Sequence, residues 1–236
     1  MRPYRIICIL TLTFLFSIPQ AFAQKAFLTQ AEWPDHTKYL PAPIDTDSIA
    51  FMNDAYYYLW GKQQRHTPRV TQAALDEAQP LSKAFREAVG FNISADSCPE
   101  TYQLVEGVRK DARGINIRSK DYYRRVRPFV YYHEPSLVDS TDYYARTGFG
   151  YPSGHSTRGW VYAMTLALVV PDSTEAIFRR AQDYSMNRVI CGRHYKSDVE
   201  ASLTEAAAIM TRLLCNEAFL AQLARAREEY KGKIKK

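Results

Sequence analysis

Residues 160–170 read WVYAMTLALVV and are apolar at every position except Thr165. A stretch without a polar face predicts a helix that is surrounded by other parts of the protein. The run is well short of the roughly 20 apolar residues that cross a bilayer. Pro171, Asp172 and Ser173 follow it, which predicts the end of this helix and the start of another. We therefore expect the core to form around this segment.

Helical patterns flank the central segment on both sides. They predict helices from Ile49 to Trp60, after Thr67-Pro68, from Pro99 to Tyr123, through Ile177 and Tyr184, and from Val199 to Leu213. No segment shows a sustained alternation of apolar and polar residues, so strands are not predicted. The sequence thus favours an all-α fold, a single compact helical domain.

The first 23 residues have the pattern of a secretory signal. Two arginines precede an almost wholly apolar stretch over residues 6–18, and residues 21–23 read AFA, a small-x-small cleavage site. A membrane anchor is the alternative, but the apolar stretch is shorter than a bilayer span. We expect residues 1–23 to be removed and the protein to be periplasmic or secreted.

Residues 24–236 are then expected to form one domain, of which the proline-rich residues 24–47 are an extended arm. The formal net charge of +6 suits anionic ligands without requiring a polyanion. Three cysteines remain, Cys98, Cys191 and Cys215, which allow at most one internal disulfide. They form no C-x-x-C pair, so zinc binding by thiolates is not predicted and buried apolar cysteines are favoured.

A first polar segment contains Lys120 and, seven residues later, Arg127-Pro128. On a helix this interval is close to two turns, so both cations would face one side, about 10 Å apart. An ammonium and a guanidinium together can hold a phosphate group. Many basic residues surround this pair, and a solvated helix face is the alternative.

A second segment reads Pro152-Ser153-Gly154-His155 and precedes the apolar helix. Small residues there let backbone N–H groups meet an anion, Ser153 adds a hydroxyl donor, and a protonated His155 can give its proton to a departing oxygen. A turn with an exposed histidine is the commoner reading of such a tetrapeptide.

In a third segment Arg188 is followed by His194 and then by Asp198. Residues four apart on a helix lie close together, so Asp198 can hold one ring nitrogen of His194 as N–H and leave the other free to attack. A structural pair or part of a metal site would have the same spacing.

In this order and spacing, the three segments resemble the type 2 phosphatidic acid phosphatase superfamily. Residues 39–41, 150–155 and 188–192 further resemble the class A bacterial non-specific acid phosphatases. The resemblance implies an all-helical enzyme that transfers phosphate without a metal or other cofactor. Its implied catalytic residues are His194 as nucleophile, Asp198 as its orienting partner and His155 as general acid. Its implied phosphate-binding residues are Lys120, Arg127, Ser153, Gly154 and Arg188.

The sequence departs from the family pattern at several positions. Asn187 replaces a serine, Tyr195 replaces the usual tryptophan, and Ser202-Leu203 replaces Gly-Arg. None of these changes removes a catalytic group, although they leave the substrate range open. His133 and the tyrosine pairs Tyr122-Tyr123 and Tyr143-Tyr144 lie near the motifs, but loop or surface packing accounts for them better.

The preferred hypothesis is an acid phosphatase of small phosphomonoesters, inhibited by phosphate or vanadate and able to transfer phosphate to alcohols. Alternatives are a vanadate-dependent haloperoxidase, a membrane-lipid phosphatase, and an exported protein that binds nucleic acid or anionic surfaces through residues 109–127. The mature sequence predicts no membrane span and no specific nucleic-acid partner. It leaves open whether the protein forms a homo-oligomer.

Overall fold

The computed structural model describes residues 25–138 and 148–234, so the predicted signal at residues 1–23 and the pair Tyr143-Tyr144 lie outside it. Every regular element in the described part of the chain is helical, which confirms the predicted all-α fold. The α-helices are α1 (Phe51–Gln64), α2 (Arg69–Ala78), α3 (Leu81–Ala84), α4 (Arg86–Val89), α5 (Pro99–Tyr123), α6 (Pro128–Tyr131), α7 (Gly154–Val169), α8 (Thr174–Ile190), α9 (Lys196–Leu213) and α10 (Glu217–Ile234).

Helix α7 lies at the centre of the fold, as its apolar sequence predicts, and packs against α5, α8 and α9. Val161, Ala163 and Leu166 are fully buried. Gly159 allows α8 to approach closely, because a Cβ there would lie 2.7 Å from the ring of Tyr184. Burial of apolar surface against three neighbours stabilises this arrangement. The beginning of α7 is thereby held in a fixed position.

The amino-terminal arm lies against α5. It contains two short 3₁₀ turns, Gln30–Glu32 and His36–Lys38. The backbone amides of Phe27 and Leu28 donate to the Asp111 carboxylate at 2.9 and 3.0 Å. Burial raises the pKa of Asp111 to about 6, against the opposing effect of these two hydrogen bonds. The arm is thus anchored to the helix that carries Lys120.

Helix α1 forms where the periodicity predicts it, but its apolar stripe faces solvent. Ile49 and Met52 are 87% and 71% exposed, while Asp54 and Tyr58 are buried. The reason is a close approach at Gly61, where a Cβ would lie 2.6 Å from the backbone oxygen of Val189. Contact with α8 therefore fixes which side of α1 turns inward.

The three cysteines of the described chain are unpaired. Cys98 and Cys191 are buried as expected, whereas Cys215 is exposed. Within residues 25–138 and 148–234, no cluster of three or more histidine, cysteine or carboxylate side chains could hold a metal ion. No helix described there combines the length and apolar character needed to span a membrane.

Candidate active site

A cavity of about 610 Å³ opens beside the first turn of α7. The predicted site residues Lys120, Arg127, Gly154, His155, Arg188 and His194 all line it, so the three sequence segments meet at one place. The remaining lining residues are Glu77, Arg113, Asn116, Ile117, Arg158 and Arg193. Ser153 and Asp198 do not line the cavity and are fully buried behind it.

Lys120 and Arg127 reach the cavity by a route that the sequence did not predict. Helix α5 ends at Tyr123, Arg124 adopts the left-handed conformation with φ 51°, and Arg127 is extended. The expectation of two cations on one helical face is therefore wrong, because the helix ends between them. Lys120 Nζ donates to the carbonyl oxygens of Phe149 and Gly150 at 2.7 and 3.2 Å. Burial, followed by the charge of Arg127, lowers the pKa of Lys120 well below its ordinary value.

The guanidinium of Arg127 fixes the tautomer of His194. Its Nη1 lies 3.0 Å from His194 Nε2, and its Nε donates to the Gly148 carbonyl at 3.1 Å. Because a guanidinium only donates hydrogen bonds, Nε2 must accept and the ring proton must sit on Nδ1. Burial and then Arg127 lower the pKa of His194 well below its ordinary value. The ring is thus neutral, and the lone pair of Nε2 is directed at Arg127, which lines the cavity.

Asp198 stands on the other side of the His194 ring. Its Oδ2 lies 3.4 Å from Nδ1 and accepts the Tyr195 amide at 2.9 Å. The predicted helical i,i+4 pair is wrong in its geometry, since α9 begins at Lys196 and His194 precedes it. The two residues are neighbours because Asp198 caps the helix whose first turn follows the histidine. Nδ1 makes no hydrogen bond within the described residues, so this carboxylate acts on it through charge alone.

Ser153 is the N-cap of α7. Its Oγ accepts from the Ser156 amide at 3.4 Å, and its own amide donates to the Asp198 carbonyl at 3.0 Å. Ser153 therefore caps the helix, and it is not among the residues that line the cavity. Gly154 does face the cavity, and a Cβ there would lie 2.6 Å from Asn116 Oδ1. The helix start, with its free N–H groups, therefore borders the cavity directly.

His155 lies beside these N–H groups. Burial lowers its pKa well below the ordinary value, and the charges of Arg188 and Arg158 lower it further. The predicted imidazolium is therefore disfavoured while the cavity is empty. An anion in the cavity would offset these charges and favour proton uptake.

Arg188 is completely buried at the end of α8. It forms an ion pair with Glu77 of α2, and its Nη2 donates to the Ala73 carbonyl at 3.2 Å. Its Nε has no hydrogen-bond partner among the described residues. Glu77 also lies 3.9 Å from Arg193. One carboxylate thus positions a guanidinium that keeps an unpaired buried donor, Nε.

The positions that depart from the family pattern lie outside the cavity. Asn187 donates to Asp76 Oδ2 at 2.8 Å. The ring centroid of Tyr195 lies 4.3 Å from the guanidinium carbon of Arg125. Ser202 Oγ donates to the carbonyls of Asp198 and Ser153. These side chains support the site from behind. His133 does not line the cavity.

Comparison with known proteins agrees with this geometry. The PAP2 superfamily pattern matches residues 112–219, a stretch that contains every predicted site residue. A non-specific acid phosphatase of Providencia stuartii is 35% identical over 89% of this chain and 86% of its own length. One from Salmonella typhi is 32% identical over 83% and 80%, respectively. The chain therefore belongs to the PAP2 superfamily of phosphatases.

Within this superfamily, the chain is a class A acid phosphatase. An acid phosphatase of Zymomonas mobilis is a more distant relative, 28% identical over 83% of this chain and 75% of its own. Among solved structures, a transmembrane PAP2 type phosphatidylglycerolphosphate phosphatase from Bacillus subtilis covers 68% of this chain and 92% of its own at 20% identity. Its TM-score of 0.37 is too low to bear on this chain. The relatives favour the phosphatase over the haloperoxidase and the non-enzymatic alternatives.

Sequence reasoning missed several residues of the site. Glu77, Arg113, Asn116, Arg158 and Arg193 line the cavity, but each stands in a local pattern typical of an ordinary helix or loop surface. Arg193 alone had a signal, its position next to His194. The others are brought in by helix packing.

Proposed function

We propose that this acid phosphatase hydrolyses small phosphomonoesters through a phosphohistidine on His194, without a metal ion. The observation that carries the proposal is the 3.0 Å contact between Arg127 Nη1 and His194 Nε2. It leaves the imidazole neutral and pairs the Nε2 lone pair with Arg127, a cation of the cavity lining. A phosphate group that took up the Arg127 hydrogen bond would meet the nucleophile at the same point.

In the first step, His194 Nε2 attacks phosphorus and the bond from phosphorus to the ester oxygen breaks. Protonated His155 gives its proton to the departing oxygen, so an alcohol leaves. Asp198 stabilises the positive charge that His194 acquires. Lys120, Arg127, Arg188 and the N–H groups at the start of α7 surround the three equatorial oxygens.

In the second step, a water molecule attacks the phosphorus of the phosphohistidine. Neutral His155 takes a proton from that water, the bond from nitrogen to phosphorus breaks, and inorganic phosphate leaves. His194 returns to its neutral form. An alcohol in the place of water would instead accept the phosphate, which accounts for a phosphotransferase side activity.

The positive charge that a metal ion supplies in other phosphatases would come here from side chains. Lys120, Arg127 and Arg188 all line the cavity, and the Nε of Arg188 is an available buried donor. Phosphoryl transfer depends mainly on positioning and on charge stabilisation, which such a set can provide. The same three cations would bind phosphate or vanadate as an inhibitor.

We further propose that the protein acts in the periplasm or outside the cell. The support is the signal-like pattern of residues 1–23. Amino-terminal sequencing of the exported protein would test it, with Gln24 expected as the first residue.

The mechanism is tested by hydrolysis of phenyl phosphate in excess EDTA, followed by acid-free quenching to trap phosphorylated histidine. His194→Ala should lower kcat on the order of 10⁴-fold or more. It should also prevent formation of the phosphorylated protein. His66→Ala, which alters an exposed histidine outside the cavity, is the matched control. Activity that persists in His194→Ala, or that EDTA abolishes in the unaltered protein, would contradict the mechanism.

A further inference from the structure

A second cavity, of about 340 Å³, adjoins the first. The two share only His155 and Arg158 among their lining residues. The rest of the second lining consists of Gln79, Pro80, Leu81, Ser82, Tyr102, Glu106, Arg109 and Tyr184. His155 and Arg158 therefore stand at the junction of the two spaces.

The positions of His155 and Arg158 on α7 indicate that the second cavity would receive the leaving group. His155 is the proposed donor to the leaving oxygen, so that oxygen must lie next to it. Arg158 follows one turn later on the same helix, and its Nη1 would lie 3.4 Å from a Cβ added at Gly154. A leaving group that extends from the oxygen past His155 thus meets Arg158.

Arg158 carries a positive charge that nothing nearby neutralises. Across residues 25–138 and 148–234, no hydrogen-bond acceptor or carboxylate pairs with it, and Arg109, the other cation of the second cavity, is paired with Glu106 at 2.7 Å. Burial lowers the pKa of Arg158, and the neighbouring Arg109 and Arg113 lower it further. Arg158 is half-buried, so an anion that binds it gains a charge-assisted hydrogen bond in surroundings that water screens only in part.

Arg158 and the proposed proton donor share the wall between the two cavities. His155 and Arg158 line both cavities, whereas Lys120, Arg127 and His194 line only the first. Arg158 therefore borders the space into which a leaving group beside His155 can extend.

We infer that Arg158 binds a second anionic group on the leaving group, so that this enzyme prefers phosphomonoesters that also carry a carboxylate or another phosphate. The inference rests on the proposed function, because it takes His155 as the donor to the leaving oxygen. Arg113, at the exposed edge of the first cavity, adds positive charge along the approach. The guanidinium fork suits either anion.

The test compares two pairs of substrates that differ by one charge in the leaving group. One pair is glycerol 3-phosphate and 3-phosphoglycerate, and the other is phenyl phosphate and 4-carboxyphenyl phosphate. The unaltered protein should show a higher kcat/KM for the carboxylate member of at least one pair. The carboxylate member gains one charge-assisted hydrogen bond, so we expect its kcat/KM to be higher by a factor of roughly ten to a hundred. The preference should shrink as salt is added.

Arg158→Gln should lower this preference by a similar factor, and Arg158→Lys, which keeps the charge but not the fork, should retain part of it. Arg118→Gln is the matched control, because it removes an exposed cation from α5 outside both cavities. Thermal unfolding of each variant shows whether it is folded. The comparison in the unaltered protein does not depend on any variant.

Each outcome has a distinct meaning. If the unaltered protein shows no preference in either pair, or if Arg158→Gln lowers kcat/KM equally for both members, the second-anion subsite is wrong. If neither substrate is hydrolysed through His194, the proposed function itself fails. A preference that Arg158→Gln removes and Arg118→Gln keeps supports the inference.

Discussion

Arg125 and Asp198 form an ion pair at 2.6 Å that is almost completely excluded from solvent. The same guanidinium binds Asp54 of α1 at 2.8 Å and lies over the Tyr195 ring. Two buried carboxylates thus share one cation, and Asp198, the residue behind His194, is tied to the amino-terminal helix. The acidic partners raise the pKa of Arg125 even though burial opposes its charge.

Arg125→Met should destabilise the protein strongly, because Asp54 and Asp198 would be left as uncompensated buried charges. We expect a loss of about 3–5 kcal/mol in the free energy of unfolding, measured by urea denaturation. Arg124→Met is the control, since that side chain is exposed and should change stability by no more than about 0.5 kcal/mol. Equal effects of the two substitutions would contradict the shared ion pair.

The pH dependence of kcat/KM should differ from that of kcat. Burial and the charges of Arg188 and Arg158 hold the pKa of His155 below its ordinary value of about 6.5 in the free protein. The proton donor is therefore lost as pH rises through this lowered pKa, which sets the high-pH limb of kcat/KM.

Bound phosphate ester brings negative charge that raises the pKa of His155 in the complex. The high-pH limb of kcat should then lie at higher pH than that of kcat/KM. Rate profiles with an alkyl phosphate, corrected for the second ionisation of the substrate, measure both limbs. The difference should vanish in His155→Gln, and limbs in the reverse order would show that another group is the acid.

Glu205 joins three helices behind the cavity. Replacing it with leucine or with glutamine shows how far its hydrogen bonds, apart from its charge, stabilise the fold. Its carboxylate accepts from Ser119 at 2.6 Å, Asn116 at 2.8 Å and Thr157 at 2.7 Å. Glu205→Leu removes three hydrogen bonds to a carboxylate, at about 1.5–3 kcal/mol each, and leaves the donors only longer bonds to the carbonyls of Ile115, Pro152 and Ser153. Glu205→Gln keeps an acceptor and should cost clearly less. Thermal unfolding of both variants checks this order, and a leucine variant as stable as the glutamine variant would refute it.

Gly154→Ala should lower activity even though alanine favours a helix. The added Cβ would lie 2.6 Å from Asn116 Oδ1, so either the start of α7 or the amide must move. We expect kcat to fall by roughly tenfold to a hundredfold, since a shift of about 1 Å at a reacting site has this effect. Gly232→Ala, with open space around it, is the matched control. Full activity of the first variant would show that the helix start need not approach so closely.

The sequence predicts the helices and the convergence of the three motifs better than it predicts their internal geometry. Helix ends follow from local signals, such as Pro171 after the apolar run and Gly90 at the end of α4. The spacing of Lys120 and Arg127 was interpreted as helical, but Arg124 takes a left-handed conformation that no local pattern announced. The pair His194 and Asp198 likewise meets through a helix cap rather than along a helix.

Residues that depend on helix packing could not be predicted. Arg125 and Arg158 look like surface cations in the sequence. Only the approach of α1 and α8 to their neighbours determines that Arg125 is buried and Arg158 half-buried. The apolar stripe of α1 faces solvent for the same reason, since the close approach at Gly61 turns the opposite side of the helix inward. Which face of a helix is buried depends on partners that are distant in the chain.

The hydrogen bond from the Ser153 amide to the Asp198 carbonyl uses main-chain atoms alone. It joins the start of α7, which carries His155, to the first turn of α9, which follows His194. Because it involves no side chain, it can form with any residue except proline at position 153. If the proposed mechanism holds, mutations can therefore accumulate around the outgoing alcohol while main-chain atoms keep the spacing of proton donor and nucleophile. A lineage built on this scaffold can change what it dephosphorylates without having to rebuild how it does so.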